Sequence, residues 1–196
     1  MKTQTLLLIN GAESRGVAQG QLSQTLIELA SNELQNHFNI LQTTVADGYN
    51  VREEQEKFKQ ADVVLFQYPV FWFSVPAGLK AYMDEVYEHG VFFEGSDRYG
   101  EGGLLRGKRY LLSTTWNAPE EAFLDKAHFF DGRLQKEVLV AMHKAQQYVG
   151  MRPLASFAAF DVVANPRLDK LRESWRRHLH QELIKQIEPE STLEIA

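Results

Sequence analysis

The 196 residues include no cysteine, which excludes disulfides, thiolate nucleophiles and cysteine-ligated metals, so any redox chemistry has to ride on a bound cofactor. With 26 acidic against 21 basic residues the net charge is −5, which argues against nucleic acid as a partner. The length suits one domain, read as 1–196 with a frayed tail over 188–196. The only early apolar run, 6–9, is too short for a signal segment or a spanning helix, and a cytoplasmic location is expected.

The chain opens with a short apolar run at 5–9 ended by Asn10-Gly11, the pattern of a strand buried on both faces. Leu22, Leu26, Leu29 and Leu34 recur near the helical period, predicting a helix from Gln21 to about Phe38. A second strand is expected over 39–45, and Asn50 with Glu53 reads as the capped start of a polar helix ending near Ala61. Residues 62–68 form the third strand. Ser74 and Pro76 open a helix whose Leu79, Met83, Val86 and Tyr87 share one face, closing near Glu88. The glycine-bearing stretch 89–107 is a long loop, a length that in compact domains usually serves function. Residues 108–115 give strand four. Leu134, Val138, Met142, Ala145 and Val149 predict one helix stopped by Gly150, and a fifth strand runs from Pro153 through Val163. Leu171, Trp175, Leu179 and Leu183 mark the last helix.

Strand and helix alternating five times is the pattern of an α/β doubly wound sheet, here a flavodoxin-like parallel five-stranded sheet in the order 2-1-3-4-5 with helices on both faces. In such a sheet ligands settle outside the carboxyl ends of the strands, where the strand order reverses. Three loops leave that edge, at 10–20, 69–74 and 116–120. The first holds Gly11, Gly16 and Gly20 ahead of a helix, suited to backbone contact with a phosphate and equally to an ordinary turn. The second carries Phe71, Trp72 and Phe73. Rings of that size each bury about 150–250 Å² when packed, so either a planar cofactor, a small core under the loop or a subunit contact covers them. The third, Thr115-Trp-Asn-Ala-Pro119, offers an indole and a carboxamide to a pocket wall, or a turn with Trp116 in the core. The six histidines show no ligand spacing, so no metal site is expected, and no nucleophile elbow is present for hydrolase chemistry.

Taken together, Asn10-Gly11-Ala12, Gly20-Gln21-Leu22, Pro69 with Trp72, Tyr99-Gly-Glu-Gly-Gly103, Thr115-Trp-Asn-Ala-Pro119 and His143-Lys-Ala ahead of Gly150-Met151 resemble the flavodoxin-like NAD(P)H quinone oxidoreductases, nearest to the bacterial modulator of drug activity B group. The resemblance covers almost the whole chain. It implies a homodimer with one tightly bound FAD per crevice at the interface, and two-electron reduction of quinones by NADPH or NADH taking turns at one site. Carried over by position, Ala18, Gln19, Gly20, Gln21, Leu22, Ser23 and Thr25 form the diphosphate cradle. Pro69, Val70, Phe71, Trp72 and Phe73 flank the flavin ring, and Thr115, Trp116, Asn117 and Ala118 meet its polar edge. Tyr99 resembles a residue that reaches the flavin of the partner subunit.

The phosphate loop departs from that family. Arg15, Val17 and Ala18 stand where Phe and then His-Ser are usual, removing a hydroxyl whose bond to a charged phosphate contributes about 1.5–3 kcal/mol. Arg15 turned inward would compensate. Proximity on the aromatic platform is expected to carry the reaction without an essential acid or base, with His128 and Tyr99 as candidate proton donors. The alternatives are a flavin-binding regulatory subunit of a potassium efflux system and a bare electron carrier with FMN.

Overall fold

The computed structural model describes residues 3–16 and 18–185; Val17 and the expected tail at 188–196 lie outside the described residues. Strands β1 (Thr5–Asn10), β2 (Asn39–Thr44), β3 (Val63–Pro69) and β4 (Arg109–Thr115) pair in parallel in the order β2-β1-β3-β4. Two short strands, β5 (Arg152–Pro153) and β6 (Phe157–Ala159), share the far edge of β4. The expected order 2-1-3-4-5 is the order found.

Period-two alternation along the strands feeds two cores. Leu7 and Ile9 of β1, Val64, Phe66 and Tyr68 of β3, and Tyr110 and Leu112 of β4 point to one face. There they pack on α2 (Val51–Gln60), α3 (Ala77–Val86) and α6 (Val140–Tyr148) through Phe58, Leu79, Tyr82, Met83, Val86, Met142 and Val149. Leu6, Leu8, Val63, Leu65 and Leu111 point to the other face. Leu26, Ile27, Ala30 and Leu34 of α1 (Gln21–Leu34) cover them with Trp175 and Leu179 of α7 (Leu168–Leu179), which runs on into a wider turn, His180–Ile184. The Asn50 cap forms as expected, its Oδ1 accepting the N–H groups of Arg52 and Glu53 at 3.0 and 3.2 Å. At α3, however, the cap position is Pro76, and Ser74 lies outside the helix in a turn.

Two expected elements are interrupted. The strand over 153–163 breaks at Ala155 because α7 and the wider turn after it take its two backbone groups. His178 Nε2 bonds the Ala155 carbonyl at 2.8 Å, and the Ala155 N–H donates to Glu182 Oε2 at 3.0 Å. The helix expected over 134–149 is divided at Leu139, after a short α5 (Gln135–Val138), because its apolar residues serve two cores. Val138 and Leu139 join a third cluster with Trp116, Phe123 and Phe130, whereas Met142, Ala145 and Val149 reach the main core.

Candidate functional site

The carboxyl ends of β1, β3 and β4 are tied together by a buried carboxamide. Gln67 Oε1 accepts the Ser113 hydroxyl at 2.6 Å, and its Nε2 donates to Ser23 Oγ at 3.4 Å, joining β3 to β4 on one side and to α1 on the other. The Gln67 carbonyl accepts the Gly11 N–H at 2.8 Å, and the Thr115 carbonyl accepts the Val70 N–H at 2.9 Å. The three loops therefore leave one edge in fixed register. Gly11 has a packing reason as well: a Cβ there would meet the Leu79 side chain at 2.6 Å.

The first loop leads into α1 through Gly20, whose φ of 71° favours glycine. No side chain caps this helix and no acidic residue occupies its first turn, so the N–H groups of Gln21, Leu22 and Ser23 have no partner within the helix. Of these residues Gln21 borders a cavity of about 480 Å³, lined also in part by Asn10, Ser14, Gln19, Gln24 and Thr25. Asn10 is buried here, accepting the Ala12 N–H at 3.1 Å and donating to Gln24 Oε1 at 2.9 Å. Ala18 pairs with Arg15 in a small hairpin. Gln19 fastens it, accepting the Ser14 hydroxyl at 2.9 Å and donating to the Gly16 carbonyl at 2.6 Å. Of the expected cradle, Gln21 is exposed and Leu22 leans on the α1–α7 core. Ser23 is buried with its hydroxyl accepting from Gln67, and the Thr25 hydroxyl donates to the Gln21 carbonyl at 3.0 Å. Arg15 does not reach into the cavity as a lone cation: its Nε lies 2.6 Å from Glu13 Oε1, and Glu13 Oε2 accepts the Gly78 N–H at the start of α3 at 2.9 Å.

In the second loop Pro69 ends β3, and Val70 packs between the main core and the third cluster. Phe71 and Ser74 then exchange two backbone bonds of 3.0 Å, closing a two-residue turn over Trp72 and Phe73. Both turn residues are left-handed, with φ of 49° and 62°. Bulky side chains rarely adopt that region, and such strain persists where the surroundings impose it. The turn holds the Trp72 ring 92% exposed and the Phe73 ring 47% exposed.

In the third loop the structure takes the second of the two expected arrangements, with Trp116 in the core. The Trp116 indole does not join a pocket wall. It is buried against Phe123, with ring centroids 5.0 Å apart, and its Nε1 donates to Thr114 Oγ1 at 2.8 Å. Its backbone N–H goes to the Ala159 carbonyl and its carbonyl accepts the Val162 N–H. The reason is the third cluster, which needs a large ring and a satisfied N–H to fill it. Thr115 is buried, the Asn117 side chain is exposed, and the Ala118 carbonyl accepts the Asp161 N–H at 3.1 Å. Among the described residues, the N–H groups of Asn117 and Ala118 have no partner.

Tyr99 stands elsewhere in the chain. Its ring, 93% exposed, lies 5.6 Å from Tyr148 beside a cavity of about 530 Å³ that none of the three loops lines. Sequence reasoning missed Phe123, Phe129 and Phe130. Phe130 stacks on Phe123 at 4.1 Å, and both Phe129 and Phe130 contact Phe73, at 5.5 and 5.7 Å. The doublet Phe129-Phe130 was the available signal. The neighbouring His128 is exposed and accepts the Phe129 N–H on Nδ1 at 2.9 Å, which in the neutral ring leaves the proton on Nε2. A further cavity of about 400 Å³ meets the site at Leu22 and Pro119 and carries Arg167 and Lys170 on its wall. Among the described residues no group of three or more His, Asp or Glu side chains is arranged to hold a metal.

Comparison with known proteins accords with this geometry. Residues 4–182 match the family described as flavodoxin-like fold. The chain is 40% identical over 186 residues to an uncharacterized protein of Schizosaccharomyces pombe, covering 89% of this chain and 95% of that protein. It is 35% identical over 188 residues to the NADPH:quinone oxidoreductase MdaB of Haemophilus influenzae, covering 90% and 97%. Among solved structures, a putative quinone reductase from Klebsiella pneumoniae superimposes with a TM-score of 0.73 at 22% identity, over 91% of this chain and 84% of that one. General stress protein 14 of Treponema denticola, in complex with FMN, does so with 0.65 at 22% identity, over 90% and 97%. A sheet that gathers uncapped amides and exposed rings at its point of order reversal, in a chain matched to a curated reductase along nearly its full length, belongs to the flavodoxin-like family and, within it, to the NAD(P)H:quinone oxidoreductases.

Proposed function

We propose that the protein binds FAD at this edge and uses it to reduce quinones with NAD(P)H, nicotinamide and quinone occupying the same face in turn. One observation carries the reading: amides that bond none of the described residues, and two exposed rings, lie in the loops that leave the ends of β1, β3 and β4. A bound flavin would supply the two-electron hydride chemistry. The chain's own residues bind and orient. The first turn of α1, from Gly20 to Ser23, would meet the diphosphate. Trp72 and Phe73 would cover the flat ring, and the Asn117 and Ala118 amides would bond its polar edge. Such donors are fixed before any ligand arrives, because Gln67 and the closed Phe71–Ser74 turn hold their loops. Proton supply at the mouth would fall to His128, an exposed imidazole beside Phe129.

FAD is favoured over FMN by the second cavity. That cavity adjoins Leu22 of the first turn of α1 and Pro119 of the third loop, and it would give an adenosine room beyond the diphosphate, a space FMN would not need. A cytoplasmic homodimer belongs to the same proposal, since an exposed Tyr99 beside Tyr148 suits a partner surface. A visible spectrum of the purified protein, anaerobic bleaching with each nicotinamide and recovery on adding quinone test the activity. A mass measurement on the released flavin separates FAD from FMN. A protein that takes up neither flavin, or whose flavin neither nicotinamide reduces, refutes the proposal.

A further inference from the structure

The segment after α4 (Glu121–Leu124) is built to hold one ring in water. Between 125 and 133 it bonds mainly to itself: Ala127 N–H donates to Asp125 Oδ1 at 2.8 Å, His128 N–H to the Asp125 carbonyl at 3.0 Å, and Asp131 N–H to the His128 carbonyl at 2.9 Å. Phe130 anchors it, 7% exposed and stacked on Phe123 at an interplanar angle of 9°. That anchor already seals the third cluster. Phe129 adds little to the seal, being 68% exposed, yet its backbone is pinned by the bond to His128 Nδ1. Its ring lies 5.5 Å from that of Phe73, tilted by 31°, and both rings are partly exposed. Phe73 in turn is held left-handed in the Phe71–Ser74 turn. The nearby guanidinium of Arg133 is already paired with Asp131 at 3.1 Å, so the wall presents hydrocarbon rather than a free arginine.

We propose that Phe129, together with Phe73, determines acceptor specificity by gripping a neutral apolar substituent on the quinone, a fused ring or an alkyl chain. The inference rests on the flavin-dependent reading above and adds the substrate class to it. An apolar contact of this size discriminates by about 10-fold or somewhat more, the range set by one to a few buried methylenes.

The test compares kcat/KM for a decyl-substituted benzoquinone with that for unsubstituted p-benzoquinone in wild type, Phe129→Ala and Phe129→Leu, with flavin content and melting temperature recorded for each. The ratio is expected to fall about 10-fold in Phe129→Ala, through KM for the decyl compound rather than kcat, and to recover in part in Phe129→Leu. An unchanged ratio, or equal losses on both acceptors, overturns the assignment. So does a shift to a smaller species on sedimentation in Phe129→Ala, which would place the ring in a subunit contact. A wild type that reduces neither acceptor brings down the flavin reading itself, whereas normal reduction of both with an insensitive ratio removes this inference alone.

Discussion

Replacing Trp72 with glycine should strengthen the flavin-free fold while weakening cofactor binding. At a φ of 49° the residue lies in the left-handed region, where a non-glycine side chain costs about 1–2 kcal/mol. Glycine relieves that strain but gives back about 0.5–1 kcal/mol by loosening the unfolded chain. Because the indole is 92% exposed, its removal forfeits little burial. The net expectation is a gain of up to about 1.5 kcal/mol, or up to about 3–6 °C in melting temperature for a chain of this size. Flavin affinity should move the other way. A ring stacked on an aromatic system contributes about 1–3 kcal/mol, so Kd should rise by about 5- to 150-fold. Urea denaturation of the flavin-free protein and fluorescence titration with FAD read the two effects separately. A loss of more than about 1 kcal/mol in the flavin-free protein would show that the indole is packed. Unchanged affinity would remove it from the flavin site.

Glu13→Gln should tighten FAD by a few-fold, because it removes a carboxylate beside the α1 cavity and frees the Arg15 guanidinium for phosphate; Arg15→Ala should weaken binding by a similar factor, both read by titration. The effects are kept small by the exposure of Arg15, since a screened pair of this kind contributes about 0.2–1 kcal/mol. Gln67→Ala strands the Ser113 and Ser23 hydroxyls and should destabilise the fold by about 1–3 kcal/mol in urea denaturation while lowering flavin occupancy. Burial holds His178 below its ordinary pKa of 6.5, partly offset by its bond to the Ala155 carbonyl and by nearby Glu182. The folded state therefore binds fewer protons than the unfolded one just below pH 6.5, so this contribution to stability is complete above that value and declines as pH falls through the lowered pKa. His178→Gln should flatten that part of the stability curve, and an unaltered curve would show that burial of this imidazole has no thermodynamic weight. His143, also held low by burial and by Lys136, acts in the same direction and would remain.

The strand order and both cores were legible because the apolar residues of β1 and β3 form unbroken runs whose alternate members face opposite helices. The Asn50 cap was legible for a local reason, a side-chain oxygen three residues ahead of its partner. What escaped depended on contacts distant in sequence. Nothing near Ala155 announces that His178 and Glu182 will take its carbonyl and amide. Likewise, Trp116 reads equally as wall or core until Phe123 and Phe130, from a segment with little periodicity, arrive beside it. The left-handed pair at Trp72 and Phe73 was hidden because neither residue type favours that conformation. The loop's importance was visible in its composition, but the way it displays its rings was not.

The interruption at Ala155 bears on how the molecule behaves at high concentration. A continuous outer strand would offer a foreign chain an uninterrupted row of donors and acceptors on which to zip. Here that row is cut at mid-length, its central amide and carbonyl spoken for by α7 and the turn after it, and Pro153 lacking an N–H altogether. The imidazole and carboxylate that bond Ala155 thereby leave a foreign strand fewer groups to pair with at this margin.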